Sequence, residues 1–182
     1  MKLLIASDIH GCAHATRELM LCFHQDDFDY LVLLGDILNH GPRNPLPLGY
    51  DPQATAELLN QDADRIIAVR GNCDSEVDQM MLTFPMMADY NQLLINERRW
   101  FLSHGHQYGP DSLPPLRSHD VFVSGHVHVP EIIQGPHCYL LNPGSITMPR
   151  GGHPATYAVY DNERISIHRL DDDVVVNELK LA

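Results

Sequence analysis

Five short stretches place a metal-ligating or hydrogen-bonding side chain beside a glycine or one residue from another such side chain: Asp8-Ile9-His10, Gly35-Asp36, Gly71-Asn72, His104-Gly105-His106 and Gly125-His126-Val127-His128. Together they offer carboxylates, an amide oxygen and several imidazoles, a mixture of hard oxygen and borderline nitrogen donors suited to Mn, Fe, Zn or Co. A structural zinc site would need thiolates instead. Asp8-x-His10 alone carries little weight, because such a pair arises by chance and a strand-end histidine is usually capped or exposed. The weight comes from repetition, since each stretch directly follows an apolar run. His126 and His128, two residues apart, would share a face in a regular strand, whereas a turn would let them diverge toward two neighbouring ions. A carboxylate such as Asp36 can bridge such ions.

The positioning elements are the runs KLLIASDIH, YLVLLGD, RIIAVRGN, RRWFLSHGH and VFVSGHVH, each rich in Val, Ile and Leu and ending in polar residues. They read as buried strands. HATRELMLCFHQ, with Leu19, Met20 and Phe23 on one helical face, and ATAELLNQDA read as intervening helices. Strand and helix alternate, which predicts an α/β fold with strands covered on both faces and functional groups gathered at their carboxyl ends. Later stretches, CYLLNPGSI, TYAVYDNERISIHRL and VVVNELKL, have period-two patterning and predict antiparallel pairing, with a hairpin turn at Asp161-Asn162. Two connections, 39–52 and 109–115, carry too much proline and glycine for regular structure; the first is long enough to serve a site.

Composition narrows the classes. A chain of 182 residues, 44% apolar and 20% charged, is expected to form one domain over residues 1–182 with a substantial core. A formal charge of -12 opposes a stable nucleic-acid complex. No run approaches membrane-spanning length, and the N-terminal apolar run is too short for a signal peptide. The four cysteines contain no Cys-x-x-Cys pair and are expected as reduced thiols in a cytoplasmic protein.

In order and spacing, D-x-H, G-D, G-N, H-G-H and G-H-x-H resemble the motifs of the calcineurin-like metallophosphoesterases, in particular their small bacterial and archaeal phosphodiesterases, from Asp8 to about Ser145. The resemblance implies a four-layer αββα sandwich of two mixed β-sheets flanked by helices, holding two divalent metals at the strand ends. Asp8, His10 and His128 would bind the first metal, Asn72, His104 and His126 the second, and Asp36 would bridge them. Manganese is the first expectation, with zinc, iron, cobalt or magnesium suiting the same donors. The implied reaction is in-line hydrolysis of a small phosphodiester by a hydroxide held between the metals. The catalytic group would comprise Asn72, Cys73, Asp74 and His104.

Two departures from the family's pattern bear on substrate. Many relatives continue Gly-Asn with a histidine that protonates the leaving oxygen, where this chain has Cys73. A thiol is a poor proton donor, so esters with acidic leaving groups, such as aryl diesters, should be cleaved and alkyl phosphomonoesters only weakly; the plainer reading has Cys73 packing as a small hydrophobe. Asn39 and His40 stand where protein phosphatases of the superfamily carry Asp-Arg, which removes a clamp for a phosphomonoester dianion. Arg43 is the nearest replacement, against a plain reading as a solvated side chain, and His106 could touch substrate or stabilise its turn. Asp74 could hold a neighbouring histidine or form the turn, and the Asn142-Pro143-Gly144-Ser145 motif reads as structural. Two alternatives stand beside the diesterase: a phosphomonoesterase on small metabolites, and a non-catalytic interaction scaffold of the same fold. A homo-oligomer is left open.

Overall fold

The apolar runs become strands that stop where the sequence turns polar. A computed structural model describes residues 1–182. In chain order the elements are β1 (Lys2–Ala6), α1 (Ala13–Gln25), β2 (Tyr30–Leu33), α2 (Pro52–Asn60) and β3 (Ile66–Ala68), then α3 (Glu76–Met81), β4 (Tyr90–Ile95) and β5 (Arg98–Ser103). β6 (Val121–Val123), β7 (Glu131–Gln134), β8 (Tyr139–Asn142), β9 (Thr156–Asp161), β10 (Arg164–Arg169) and β11 (Val175–Lys180) complete the chain.

Two mixed sheets result, ordered β11-β10-β9-β1-β2-β3 and β4-β5-β6-β8-β7. β1, β2 and β3 run parallel, joined through α1 and α2, while β9, β10 and β11 add antiparallel. In the second sheet β5, β6 and β8 are parallel and β4 and β7 antiparallel edges. β1 is covered on both faces: Leu3 and Ile5 meet Trp100, Val123 and Tyr160 between the sheets, while Leu4 packs outward in the cluster that holds Leu19, Phe23 and Leu59 of the helices. That double burial explains the unbroken apolar runs. Caps start the helices where the runs begin: the Cys12 thiol accepts from the Ala15 N–H, and Asp51 accepts from Ala54 ahead of Pro52 in the first turn.

Ala15, Leu19, Met20 and Phe23 of α1, Ala56 and Leu59 of α2, and Leu82, Phe84 and Met86 after α3 pack in the cluster on the first sheet. Over the second sheet, Phe101, Phe122 and Cys138 are covered by Tyr108, Leu113 and Leu116. That segment has no helix, as its prolines dictate, so the fourth layer of the expected sandwich is coil. The β9–β10 turn falls at Asn162 and Glu163, both with positive φ, one residue beyond the expected Asp161-Asn162, because Asp161 stays paired with Arg164. The sequence pattern also missed β4, an edge strand, and the short β7. The run Asp171–Asp173 is a turn: Asp172 pairs with Arg169, and Asp173 accepts from Tyr157 and His168.

Asp120 joins the approach to β6 to β5. Its buried carboxylate accepts the N–H of Arg117 at 2.8 Å and of Arg99 at 3.1 Å, with the Arg99 guanidinium 3.5 Å away. Burial alone would raise its pKa, but these donors hold it below the usual carboxylate range. A lowered carboxylate contributes its stability fully above the ordinary value of about 3.9 and loses it as pH falls through the folded value. Asp120→Ala should cost on the order of 2 kcal/mol at neutral pH in urea unfolding. The gap from the parent should narrow as pH drops below about 4; a penalty that stays constant into acid would contradict this role.

Candidate metal centre

At the carboxyl ends of β1, β2, β3, β5 and β6 the chain turns sharply. Asp8, His10, Asp36, His126 and His128 all adopt positive φ, between 49° and 69°. Such a conformation costs a non-glycine residue roughly 1–2 kcal/mol. The neighbouring glycines allow the turns to touch: a Cβ on Gly71 would collide with the Asp36 carboxylate, and one on Gly125 with the Ser7 hydroxyl. The result brings side chains from both sheets into one place.

Three of the imidazoles are aimed by main-chain oxygens. Nδ1–H of His10 donates to the Asn39 carbonyl at 2.9 Å, that of His104 to Leu34 at 2.7 Å, and that of His128 to Met148 at 2.7 Å. A carbonyl can only accept, so each Nδ1 carries a proton and each Nε2 points inward, where it offers a lone pair in the neutral ring. Nε2 of His10 and His128 lie 3.5 Å apart. They face Oδ1 of Asp8 at 3.7 Å and 3.0 Å, an oxygen that accepts no hydrogen bond although fully buried. On the other side of Asp36, whose Oδ2 is 3.8 Å from His10 and 3.5 Å from His104, Nε2 of His104 meets Asn72 Oδ1 at 3.0 Å and His126 Nδ1 at 3.2 Å.

Lone pairs and carboxylate oxygens at these separations repel unless a positive charge sits among them. A proton can serve in part: against burial, which would raise it, His128 and its neighbours hold the Asp8 carboxyl at about 2, and Asp8 in turn raises the pKa of His128. Burial, followed by repulsion from neighbouring rings, lowers the pKa of His126, and burial lowers that of His10. Divalent cations satisfy the whole set, and the orphaned Asp8 oxygen, the tautomers and the mixed donors fit them. The structure thus brings together all seven expected ligands, Asp8, His10, Asp36, Asn72, His104, His126 and His128.

Around them lies a cleft of about 670 Å³, reached by Cys73, Arg43 and Arg150. Cys73 is half-buried, and its sulfur accepts from Asn72 Nδ2 at 3.2 Å, which turns the amide oxygen of Asn72 toward His104. The expected roles of four other residues at the substrate or the reacting atoms need correction. Asp74 does not face the cleft or a histidine: its buried carboxylate accepts the N–H groups of Asp36, Ile37 and Gly71 at 2.7 to 2.9 Å, strapping one ligand turn to the next. Asn39 spends its side-chain oxygen on the Gly41 N–H. His40 packs edge-on against Tyr50 and does not line the cleft. His106 is exposed beside His104 and likewise stands outside the cleft lining.

Sequence reasoning left Ser7 without a role and gave the motif that ends in Ser145 only a general structural one. Ser7 donates to Asp8 Oδ2 at 2.7 Å, and Ser145 donates to the Asp8 carbonyl at 2.8 Å while accepting from Thr147 and Met148. The accepting carbonyls of Leu34, Asn39 and Met148 have no side-chain signature.

The calcineurin-like phosphoesterase superfamily domain matches residues 1–164. Phosphodiesterase YfcE of Escherichia coli strain K12 is 49% identical over 181 residues, spanning 100% of this chain and 98% of that protein. Probable metallophosphoesterase YsnB of Bacillus subtilis strain 168 is 24% identical over 168 residues, 87% of this chain and 83% of that one. The solved structure of the E. coli phosphoesterase Yfce superposes with a TM-score of 0.98 at 48% identity over the full length of both chains. Vacuolar protein sorting 29 of Cryptosporidium parvum, at 19% identity and a TM-score of 0.68 over 98% of this chain and 97% of that one, shares the fold.

The strap makes Asp74 a test of the geometry. Asp74→Asn keeps the size but turns an N–H₂ group toward backbone donors, which should lower unfolding free energy by about 2 kcal/mol in urea titration. Manganese affinity in calorimetric titration should fall tenfold or more. Unchanged affinity would dismiss the strap as a determinant of the centre.

Proposed function

The chain belongs to the calcineurin-like phosphoesterase superfamily, and we propose that it is a metal-dependent phosphodiesterase working in the cleft between the sheet ends. The observation that carries this reading is the convergence of three carbonyl-anchored imidazoles on the buried carboxylates of Asp8 and Asp36. Asp8, His10 and His128 would hold one divalent cation, and Asn72, His104 and His126 a second, with Asp36 shared. Manganese is the first choice among Mn, Zn, Fe, Co and Mg, on the mixed oxygen and nitrogen donors. When bound, such a pair activates a water for attack on phosphorus and offsets negative charge on the phosphoryl oxygens.

The remaining roles fall to the chain. The anchored rings and the Asn72 amide keep the reacting phosphate in one orientation without reorganising during the reaction. Cys73 lines the cleft at the sequence position where many relatives carry the histidine that protonates the leaving oxygen. Burial, then the nearby Asp36 and Asp74 carboxylates, push its pKa far above the usual thiol range, so it stays a neutral thiol and gives up its proton poorly. Its work is positional, holding the Asn72 amide. Substrates are therefore small diesters whose leaving group departs without a proton, and alkyl monoesters are slow. The charge of -12 disfavours a polynucleotide substrate. No helix is long and apolar enough to cross a membrane, and a cytoplasmic location accords with four unpaired cysteines.

Two outcomes test this. Chelated protein should be inactive, and added manganese should restore cleavage of an aryl phosphodiester in preference to the matching aryl monoester; metal binding without turnover on either ester would point to a non-catalytic protein. Cys73→His should raise kcat/KM on an alkyl phosphomonoester, whose basic leaving group needs a proton, by about ten- to a hundredfold by restoring a general acid, with a smaller gain on the aryl diester. Monoester turnover that does not move would sink the account of Cys73.

A further inference from the structure

The mouth of the cleft carries positive charge that hydrolysis of a simple diester leaves without a partner. Arg150 is fixed at its root, its N–H donating to the carbonyl of His128 at 3.0 Å, and its guanidinium reaches Asn44 Oδ1 at 3.5 Å. Asn44 is itself held in the long 39–52 loop, donating Nδ2 to the His40 carbonyl at 2.9 Å and its N–H to the Gly41 carbonyl at 3.2 Å. Arg43 precedes it. Arg43, Asn44 and Arg150 all line the cleft, so the loop after β2 and the turn after β8 face each other through these three side chains.

Arg43 and Arg150 are the only Lys or Arg side chains that line the cleft, and neither pairs with a carboxylate, whereas Arg65, Arg98, Arg99, Arg164 and Arg169 do; Arg17, Arg70, Arg117 and Lys180 are also unpaired but lie away from the cleft lining. In a chain where acidic residues outnumber Lys and Arg 24 to 12, two guanidinium groups without a carboxylate partner meet at one cleft mouth. A diester phosphate carries one negative charge, which the metal centre already offsets. The arginine forks match the oxygens of a second phosphate, which two donors from opposite walls can grip together.

Resting on the phosphodiesterase reading, we propose that Arg43 and Arg150, with Asn44 between them, form a subsite for a second phosphate. The preferred substrate is then a phosphodiester whose retained group also bears a phosphomonoester.

The test uses the manganese-loaded full chain and two esters with the same leaving group, thymidine 5′-(p-nitrophenyl phosphate) with and without a 3′-phosphate. The phosphorylated ester should be preferred in kcat/KM by on the order of tenfold at low ionic strength, through KM, and the preference should shrink as salt rises. In the Arg43→Ala/Arg150→Ala double variant the ratio should approach one, and Arg150→Lys alone should keep part of it. A ratio near one in the parent, or a preference that survives the double variant, overturns the subsite. Should neither ester be cleaved, the hydrolase reading falls and binding decides the subsite. Thymidine 3′,5′-bisphosphate binding more tightly than thymidine 5′-monophosphate, with the difference lost in the double variant, would uphold it; equal binding would overturn it.

Discussion

Electron-rich atoms crowd together at the strand ends, and the cost of that crowding is the constraint the surrounding structure answers to. Oδ1 of Asp8, Oδ2 of Asp36 and the Nε2 atoms of His10, His104 and His128 lie within hydrogen-bonding or near-contact distance of one another with almost no access to water. In a poorly solvated site such repulsion is strong, and left to itself the cluster would spread apart. It is held by rigid parts. Rings are pinned by carbonyls, Asp8 is fixed by Ser7 and Ser145, and the turns around Asp36 and Asn72 are tied by Asp74. Those parts in turn need two sheets whose ends abut, and the cores on either face of β1 keep them there.

The backbone is strained for the same reason. Five of the donor residues take a conformation that side chains ordinarily avoid, and each does so just past a strand. A strand continuing straight would carry its side chains alternately up and down; the abrupt turn points successive donors into one space. The strain persists because the adjoining strands are buried on both sides and cannot yield. Stability stored in the sheets is spent on aiming the donors.

Much of this was legible in the sequence, and the limits are physical. The five parallel-sheet runs and both long helices stand out because their apolar patterns are strong and long. β4 escaped because an edge strand alternates weakly, and β7 because its Ile132-Ile133 pair between Glu131 and Gln134 makes neither an apolar run nor an alternation. The seven candidate ligand positions were readable because five ordered motifs at strand ends resemble those of a known family, and the structure gathers their side chains in one place. The second set of residues was read less well. Asn39 and His40 adjoin the site in sequence yet turn away from it, one into its own loop and the other onto Tyr50, whereas Arg150 arrives from a distant turn. Adjacency along the chain is a poor guide where a loop reverses direction. Asp74 was recognised as a neighbour of the centre, but its partners are backbone N–H groups, which no pattern of side chains can announce.

The acceptors that aim His10, His104 and His128 belong to the peptide chain and not to the side chains of Asn39, Leu34 and Met148. Substitution at those three positions leaves the accepting oxygen in place, so they can drift in identity as the protein diverges while the tautomers are inherited unchanged. What the lineage must preserve is the path of the main chain, and alignments of residue types record that only faintly.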